Sequence, residues 1–152
     1  MPLDSIDSRL LAALQRDAHL TAQELGEALN LSSSQAGRRR QRLETEGYIT
    51  GYAARLRPDR LGLAVQAFVQ VQMARHGSDA SAAFKRLVEA QAAITSVWTL
   101  TGDADYLLRV YTPDLAALND LIQNVLLPHP GIARVQSQIV MDQLKADAPL
   151  PV

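Results

Sequence analysis

The sequence predicts an α+β protein in two parts, an all-helical N-terminal domain and a C-terminal domain in which strands and helices alternate. Three observations predict it. Over the first fifty residues the apolar positions recur at helical spacing. After Gly47 the texture shifts to short strand-like stretches. From Val65 onward, strand-like and helix-like segments take turns.

Each element has its own signal. Ile6, Leu10, Leu11 and Leu14 define a first helix, with Asp4 or Ser5 as its N-cap. A second follows Leu20: Thr21 caps it, Glu24 completes a capping box, and Leu25, Ala28 and Leu29 line one face. After the short break Asn30-Leu31-Ser32, a third helix runs from about Ser33 to Glu46 and stops at Gly47. Two helices joined by so short a turn make a helix-turn-helix. Tyr48-Ile49, Gly51-Tyr52 and 54–56 then read as short strands around a Thr50-Gly51 turn, the position of a wing.

The second half begins with a strand from Val65 to Met73, with Val65, Ala67, Val69 and Val71 on one parity. A helix from about Asp79 to Gln91 carries Ala83, Phe84, Leu87 and Val88. Strands follow at Ile94–Leu100 and Tyr106–Tyr111, around a turn at Thr101–Asp105. Thr112-Pro113-Asp114 starts a helix with Leu115, Leu118, Leu121, Ile122 and Val125 on its apolar face. Pro128-His129-Pro130-Gly131 stops it, and Ile132 to Leu144 is the last strand. The order βαββαβ is the ferredoxin-like arrangement. These boundaries give a winged helix-turn-helix over 1–52, a linker over 53–64, a ferredoxin-like domain over 65–146 and a tail over 147–152.

Composition narrows the class. Apolar residues make up 47% and charged residues 20% of the chain, enough for two packed cores. No stretch is apolar for long enough to span a membrane, and Met1-Pro2-Leu3-Asp4 shows no leader, so a soluble cytoplasmic protein is expected. There is no cysteine, and His19, His76 and His129 have no metal-ligand spacing. Neither a metal nor a cofactor is therefore expected, and no set of nucleophile and base points to an enzyme.

The net charge of −1 says nothing of nucleic acid, but its distribution does. Arg38, Arg39, Arg40 and Arg42 cluster on the third helix. Gln35, Arg38, Arg39 and Arg42 share one helical face, and such side chains pair with adenine or guanine edges in the major groove. Ser32, Ser33 and Ser34 at the helix start suit a phosphate. The bland alternative is a solvated charged face. Arg40 falls on the inward stripe between Ala36 and Leu43, so it either snorkels to solvent or the helix is rotated. Gly37 weakens the helix by about 1 kcal/mol relative to alanine.

Several motifs, in order, resemble one known family. They are Leu3-Asp4-x-Ile6-Asp7, Leu10-Leu11, Leu14-Gln15-Arg16-Asp17, Glu24-Leu25 and Leu29-x-Leu31-Ser32. Then come Arg39-x-x-Arg42-Leu43-Glu44-x-x-Gly47-Tyr48-Ile49-x-Gly51-Tyr52, Gly102-Asp103-Ala104-Asp105-Tyr106-Leu107-Leu108 and Leu127-Pro128-x-Pro130-Gly131-Ile132. The chain is similar to the leucine-responsive regulatory protein/AsnC (Lrp/AsnC, feast/famine) family from Leu3 to about Lys145. Arg40 departs from it, since the family usually has an aliphatic residue there, and Gly37 is unusual. The resemblance implies transcription regulation through double-stranded DNA, dimers built on the second domain and often octamers. It also implies an amino acid or related effector bound between effector domains. Some tetrapyrrole decarboxylases resemble the same architecture, but they would have no use for the Arg cluster.

The turn Thr101-Gly102-Asp103-Ala104-Asp105-Tyr106 is the candidate effector site. Gly102 lets backbone approach closely, and Asp103 and Asp105 suit an ammonium group. A plain hairpin turn would use the same residues. The resemblance places this turn in the effector pocket. It adds Trp98 as a pocket wall and Gln136, Ser137 and Gln138 as a segment completing it. The alternatives are a core or interface tryptophan and the solvent face of an edge strand.

Overall fold

A computed structural model describes residues 3–74 and 77–152. His76, expected in a loop, and Met1-Pro2 lie outside the described residues. The chain forms two compact units, one of residues 1–55 with 144–152 and the other of 56–143. The segment 147–152, expected as a tail, thus belongs to the first unit.

In the first unit, helices α1 (Ser5–Arg16), α2 (Ala22–Leu29) and α3 (Ser33–Thr45) each begin with a capping box. Asp4 caps α1, Thr21 caps α2 with Glu24 reciprocating, and Ser32 caps α3 with Gln35 reciprocating. Each box satisfies amide donors that a helix start leaves unpaired. Leu10, Leu11, Leu14, Leu25, Leu29, Ala36 and Leu43 form the core. Ala28, expected on the buried face of α2, is exposed, and Gly26 is buried instead. A Cβ on Gly26 would lie 2.7 Å from the Leu31 carbonyl oxygen, so only glycine lets the turn fold back so tightly. Asn30 takes the left-handed conformation there, at φ 55°.

The strands expected around Thr50-Gly51 do not form. The described residues from 46 to 57 hold no strand, and a short 3₁₀ turn at Pro58–Leu61 follows. The wing position is occupied by chain without a ladder, held at Tyr52 by Arg40 and Glu44.

The second unit is a four-stranded antiparallel sheet of β1 (Val65–Met73), β2 (Ile94–Thr99), β3 (Tyr106–Thr112) and β4 (Ile132–Ile139), in the order β2-β3-β1-β4. With α4 (Ser78–Glu89) and α5 (Leu115–Asp120) it has the βαββαβ order of the ferredoxin-like fold. Ala67, Val69, Val71, Leu108 and Val110 meet Phe84, Val88, Leu118, Leu121 and Leu126 in its core. The apolar parity of β1 therefore points at the helices.

Two expectations fail at the end. β4 stops at Ile139 rather than Leu144. α5 runs on into a π-helical stretch, Leu121–Leu126, where the Leu127 N–H donates to the Ile122 carbonyl. That wider turn brings Leu126 into the core, whereas Leu115, expected on the apolar face, is exposed at the helix start.

Candidate functional sites

The face of α3 expected to read DNA is divided. Asp7 is fully buried at the base of α1, on the same stripe as Leu10, Leu11 and Leu14. A carboxylate there needs partners, because an uncompensated buried charge costs several kcal/mol. Arg39 Nη1 donates to Asp7 Oδ1 and to Asp4 Oδ2, both at 2.7 Å, and Arg42 Nη2 donates to Asp7 Oδ2 at 2.5 Å. Burial works to raise the Asp7 pKa, but the hydrogen bonds from Arg42, Arg39 and the Asp4 N–H outweigh it and hold it at about 2. Asp4 is lowered as well, by its bonds to Asp7 and Arg39. Arg39 and Arg42 thus face α1 and brace the fold.

Arg40 does not snorkel. Its Nη1 donates to the Leu20 carbonyl at 3.0 Å, and its Nε donates to Glu44 Oε1 and to the Tyr52 hydroxyl, both at 3.1 Å. The guanidinium also lies 4.9 Å from the centre of the Tyr52 ring, a cation–π distance. The Tyr52 hydroxyl donates to Glu44 at 2.8 Å, and with Arg40 it holds that carboxyl below its ordinary value. Arg40 therefore ties the α1–α2 turn, α3 and the chain after α3 together.

Ser33, Ser34, Gln35, Arg38, Gln41 and Thr45 remain exposed on α3. Ser32 and Gln35 are occupied in the cap, Gln35 Oε1 accepting from the Ser32 N–H at 2.9 Å. Among the described residues, no hydrogen-bond or ion-pair partner meets the Arg38 guanidinium. Gln35, Arg38, Arg39 and Arg42 nonetheless border one open recess of about 400 Å³ with Asp4 and Leu31, and Ser34, Arg38 and Gln41 are exposed. Asp7 carried the missing signal, since an acid on an apolar helical stripe must be paired, and Arg39 and Arg42 share a face.

In the second unit the sheet has one face under the helices and one without helices. Register places Trp98, Leu107, Gln70 and Gln136 in one row of the helix-free face, and Ser96, Arg109, Phe68 and Gln138 in the next. Arg109 lies 5.8 Å from the centre of the Trp98 ring and donates to the Ser96 hydroxyl at 3.0 Å. Trp98 is 43% exposed, so it is not a core tryptophan of the single chain.

The turn before β3 splits in a similar way. Gly102 has φ 106°, and Thr101 and Asp103 are exposed. Asp103 and Ala104 border a recess of about 40 Å³ with Gln70, Gln72, Arg134 and Gln136. Asp105 turns inward instead, its carboxylate accepting from the Met73 N–H at 2.7 Å. Tyr106 stacks on Phe84 under the helices, with ring centres 4.4 Å apart. Ser137 lies opposite Val69, on the parity that faces away from Gln136 and Gln138. The structure thus gathers Asp103 and Gln136 at one recess, with Trp98 and Gln138 on the same face of the sheet. It places Asp105, Tyr106 and Ser137 elsewhere, for reasons of packing.

A model of the AsnC-type helix-turn-helix domain matches residues 3–44, and a model of the Lrp/AsnC ligand binding domain matches residues 66–150. The chain belongs to the Lrp/AsnC family. It is 35% identical over 150 residues to the DNA-binding transcriptional activator DecR of Escherichia coli K12, covering 99% of each chain. It is 39% identical over 139 residues to the Bkd operon transcriptional regulator of Pseudomonas aeruginosa, covering 91% of each. Among solved structures, a transcriptional regulator from Neisseria meningitidis in complex with L-Met superposes with a TM-score of 0.93. Identity to it is 36%, over 99% of this chain and 97% of that one. This Lrp/AsnC protein is accordingly a DNA-binding transcriptional regulator with a ligand-binding domain, and its relatives are regulators rather than enzymes. No helix among the described residues is long and apolar enough to cross a membrane.

Proposed function

We propose that this regulator binds double-stranded DNA as a homo-oligomer, with Arg38 and Gln41 at base edges and Ser33 and Ser34 at phosphate, and that an amino acid modulates it. The observation that carries the reading is the division of the Arg cluster. Arg39, Arg40 and Arg42 are engaged inside the protein, and Arg38 stands outward beside Ser34 and Gln41. Arg and Gln at the start and middle of an exposed recognition helix match the hydrogen-bond patterns of guanine and adenine.

The oligomer follows from two considerations. One short helix reads too few base pairs for specificity, and a two-fold pair of half-sites doubles them. The helix-free sheet face also leaves Phe68, Leu107, Tyr111 and Trp98 partly exposed, apolar area suited to a second copy.

For the effector, the Neisseria relative in complex with L-Met supports an amino acid. Asp103 suits its ammonium and Arg134 its carboxylate, with Gln70 and Gln136 beside them. A recess of 40 Å³ is too small to enclose an amino acid, so the remaining wall comes from another copy. Thr101, Gly102, Trp98 and Gln138 remain at its margins, and no metal or cofactor enters the reading.

The test is a gel shift on DNA upstream of the protein's own gene, against random competitor, across a salt series and with added amino acids. Competitor-resistant binding that weakens steeply with salt is expected, because neutralised phosphates release counterions. Asp103→Ala is expected to blunt the amino-acid response while leaving binding without effector intact. Binding no tighter than to random DNA at every candidate operator would overturn the reading.

A further inference from the structure

The first unit holds a groove of about 480 Å³ between the end of α1 and the chain after α3, bordered by Leu14, Gln15, His19, Tyr48 and Tyr52. Its other wall is Leu150 and Val152, from the far end of the sequence. Gln15 grips Leu150 by both backbone groups. The Leu150 N–H donates to Gln15 Oε1 at 2.6 Å, and Gln15 Nε2 donates to the Leu150 carbonyl at 3.0 Å. A carboxamide paired with both the N–H and the C=O of one residue imitates a strand partner. Nearby, Arg55 Nη1 donates to the Asp147 carbonyl at 3.1 Å, so a second side chain holds the same segment by its backbone.

The segment is suited to this by composition. It reads Ala148-Pro149-Leu150-Pro151-Val152. Proline fixes its own φ and restricts the residue before it to extended conformations. Pro149 and Pro151 also lack N–H groups, so Leu150 carries the lone backbone donor between them. Such a segment is already extended when free, and little order is lost on docking. Leu150 is 73% exposed, so recognition rests on its backbone and not on a pocket for leucine.

We propose that residues 148–152 close one wall of this groove in cis, as a clasp holding the 48–55 segment against α1. The clasp borders the chain that leaves the reading helix, from Tyr48 to Arg55. Opening it frees that chain where Arg40 does not hold it.

Hydrogen exchange on the full-length protein tests this. The Leu150 amide is expected to exchange at least about tenfold more slowly than an unstructured amide, and Gln15→Ala is expected to abolish that protection. Leu150→Pro keeps the segment extended but removes the donor. It is expected to speed exchange of the Ile49 amide, which donates to the Leu43 carbonyl, by the same factor as Gln15→Ala, and the double variant is expected to add nothing further. An unprotected Leu150 amide in the natural sequence, protection that survives Gln15→Ala, or additive effects in the double variant would each overturn the clasp. DNA binding and effector response take no part in the readout, so failure here is distinct from failure of the proposed function.

Discussion

At the scale of single residues, the arginines of α3 look alike in sequence and differ entirely in what they touch. Arg39 and Arg42 compensate the buried Asp7, and Arg38 has no partner among the described residues. Arg42→Ala is expected to destabilise the fold, because it removes one of the two guanidiniums that compensate the buried Asp7 and leaves Arg39 alone to do so. Its loss of operator binding should follow the loss of folded protein in a melting curve. Arg38→Ala is expected to leave the melting temperature unchanged and to weaken operator binding by about 1–3 kcal/mol, measured by titration. The reverse pattern would put the reading face back on Arg39 and Arg42.

The same carboxylate sets a pH dependence. Asp7 falls from an ordinary value of 3.8 to about 2 on folding, so its contribution is complete above the unfolded value and fades as pH drops from about 4 toward 2. The contribution is on the order of 2 kcal/mol, since each pKa unit corresponds to about 1.4. Asp4, Glu24 and Glu44 are lowered too and share the sign. The discriminating comparison is therefore the natural protein against Asp7→Asn. The variant should start less stable at pH 7 and lose less between pH 4 and 2, as followed by denaturant melts. Parallel curves would show that Asp7 is not the group titrating.

Elements were legible in the sequence wherever their signals are local. The cap Thr21 with its partner Glu24, the two-residue alternation of β1, and the turn around Gly102 depend on neighbours a few positions away. What escaped depends on distant chain. Gly26 is fixed by Leu31 and Ser32 folding back on it, the wing lacks a partner strand for its ladder, and the π-helical stretch follows from fitting Leu126 to the sheet. Periodicity put Gln35, Arg38, Arg39 and Arg42 on one face, where they border one recess, and the pairing of two of them with Asp7 on α1 lay outside its reach. Two glycines test this distinction. Gly37 is helical, and a Cβ there would sit 3.6 Å from the Ala22 Cβ, an ordinary contact. Gly37→Ala is expected to stabilise the unit by up to about 1 kcal/mol, the helix-propensity difference. Gly26→Ala meets backbone at 2.7 Å and is expected to destabilise it and to spread α2 from α3. Opposite shifts in melting temperature are the check.

At the scale of the whole molecule, a three-helix reader and a sheet with one open face divide the work of regulation. The helices of the reader close on their own core, whereas the sheet keeps one face without helices. Its helix-free face carries Phe68, Leu107 and Trp98 beside Gln70, Gln136 and Arg109, a mixture of apolar area and hydrogen-bonding groups that suits a self-complementary contact. Leu107 is in the middle of that face, paired with Gln70 on one side and Trp98 on the other. Leu107→Asp would bury a carboxylate against its own symmetry mate in a two-fold pair, while in a single chain the residue is only half-buried. The substitution is therefore expected to leave each chain folded and to dissociate the assembly to monomers in sedimentation. With one reading helix instead of two, about half the phosphates are neutralised, so the slope of log affinity against log salt should fall by about half. Specific binding should approach that to random DNA. An intact assembly with an unchanged slope would place the interface on another surface and remove the sheet face from the mechanism.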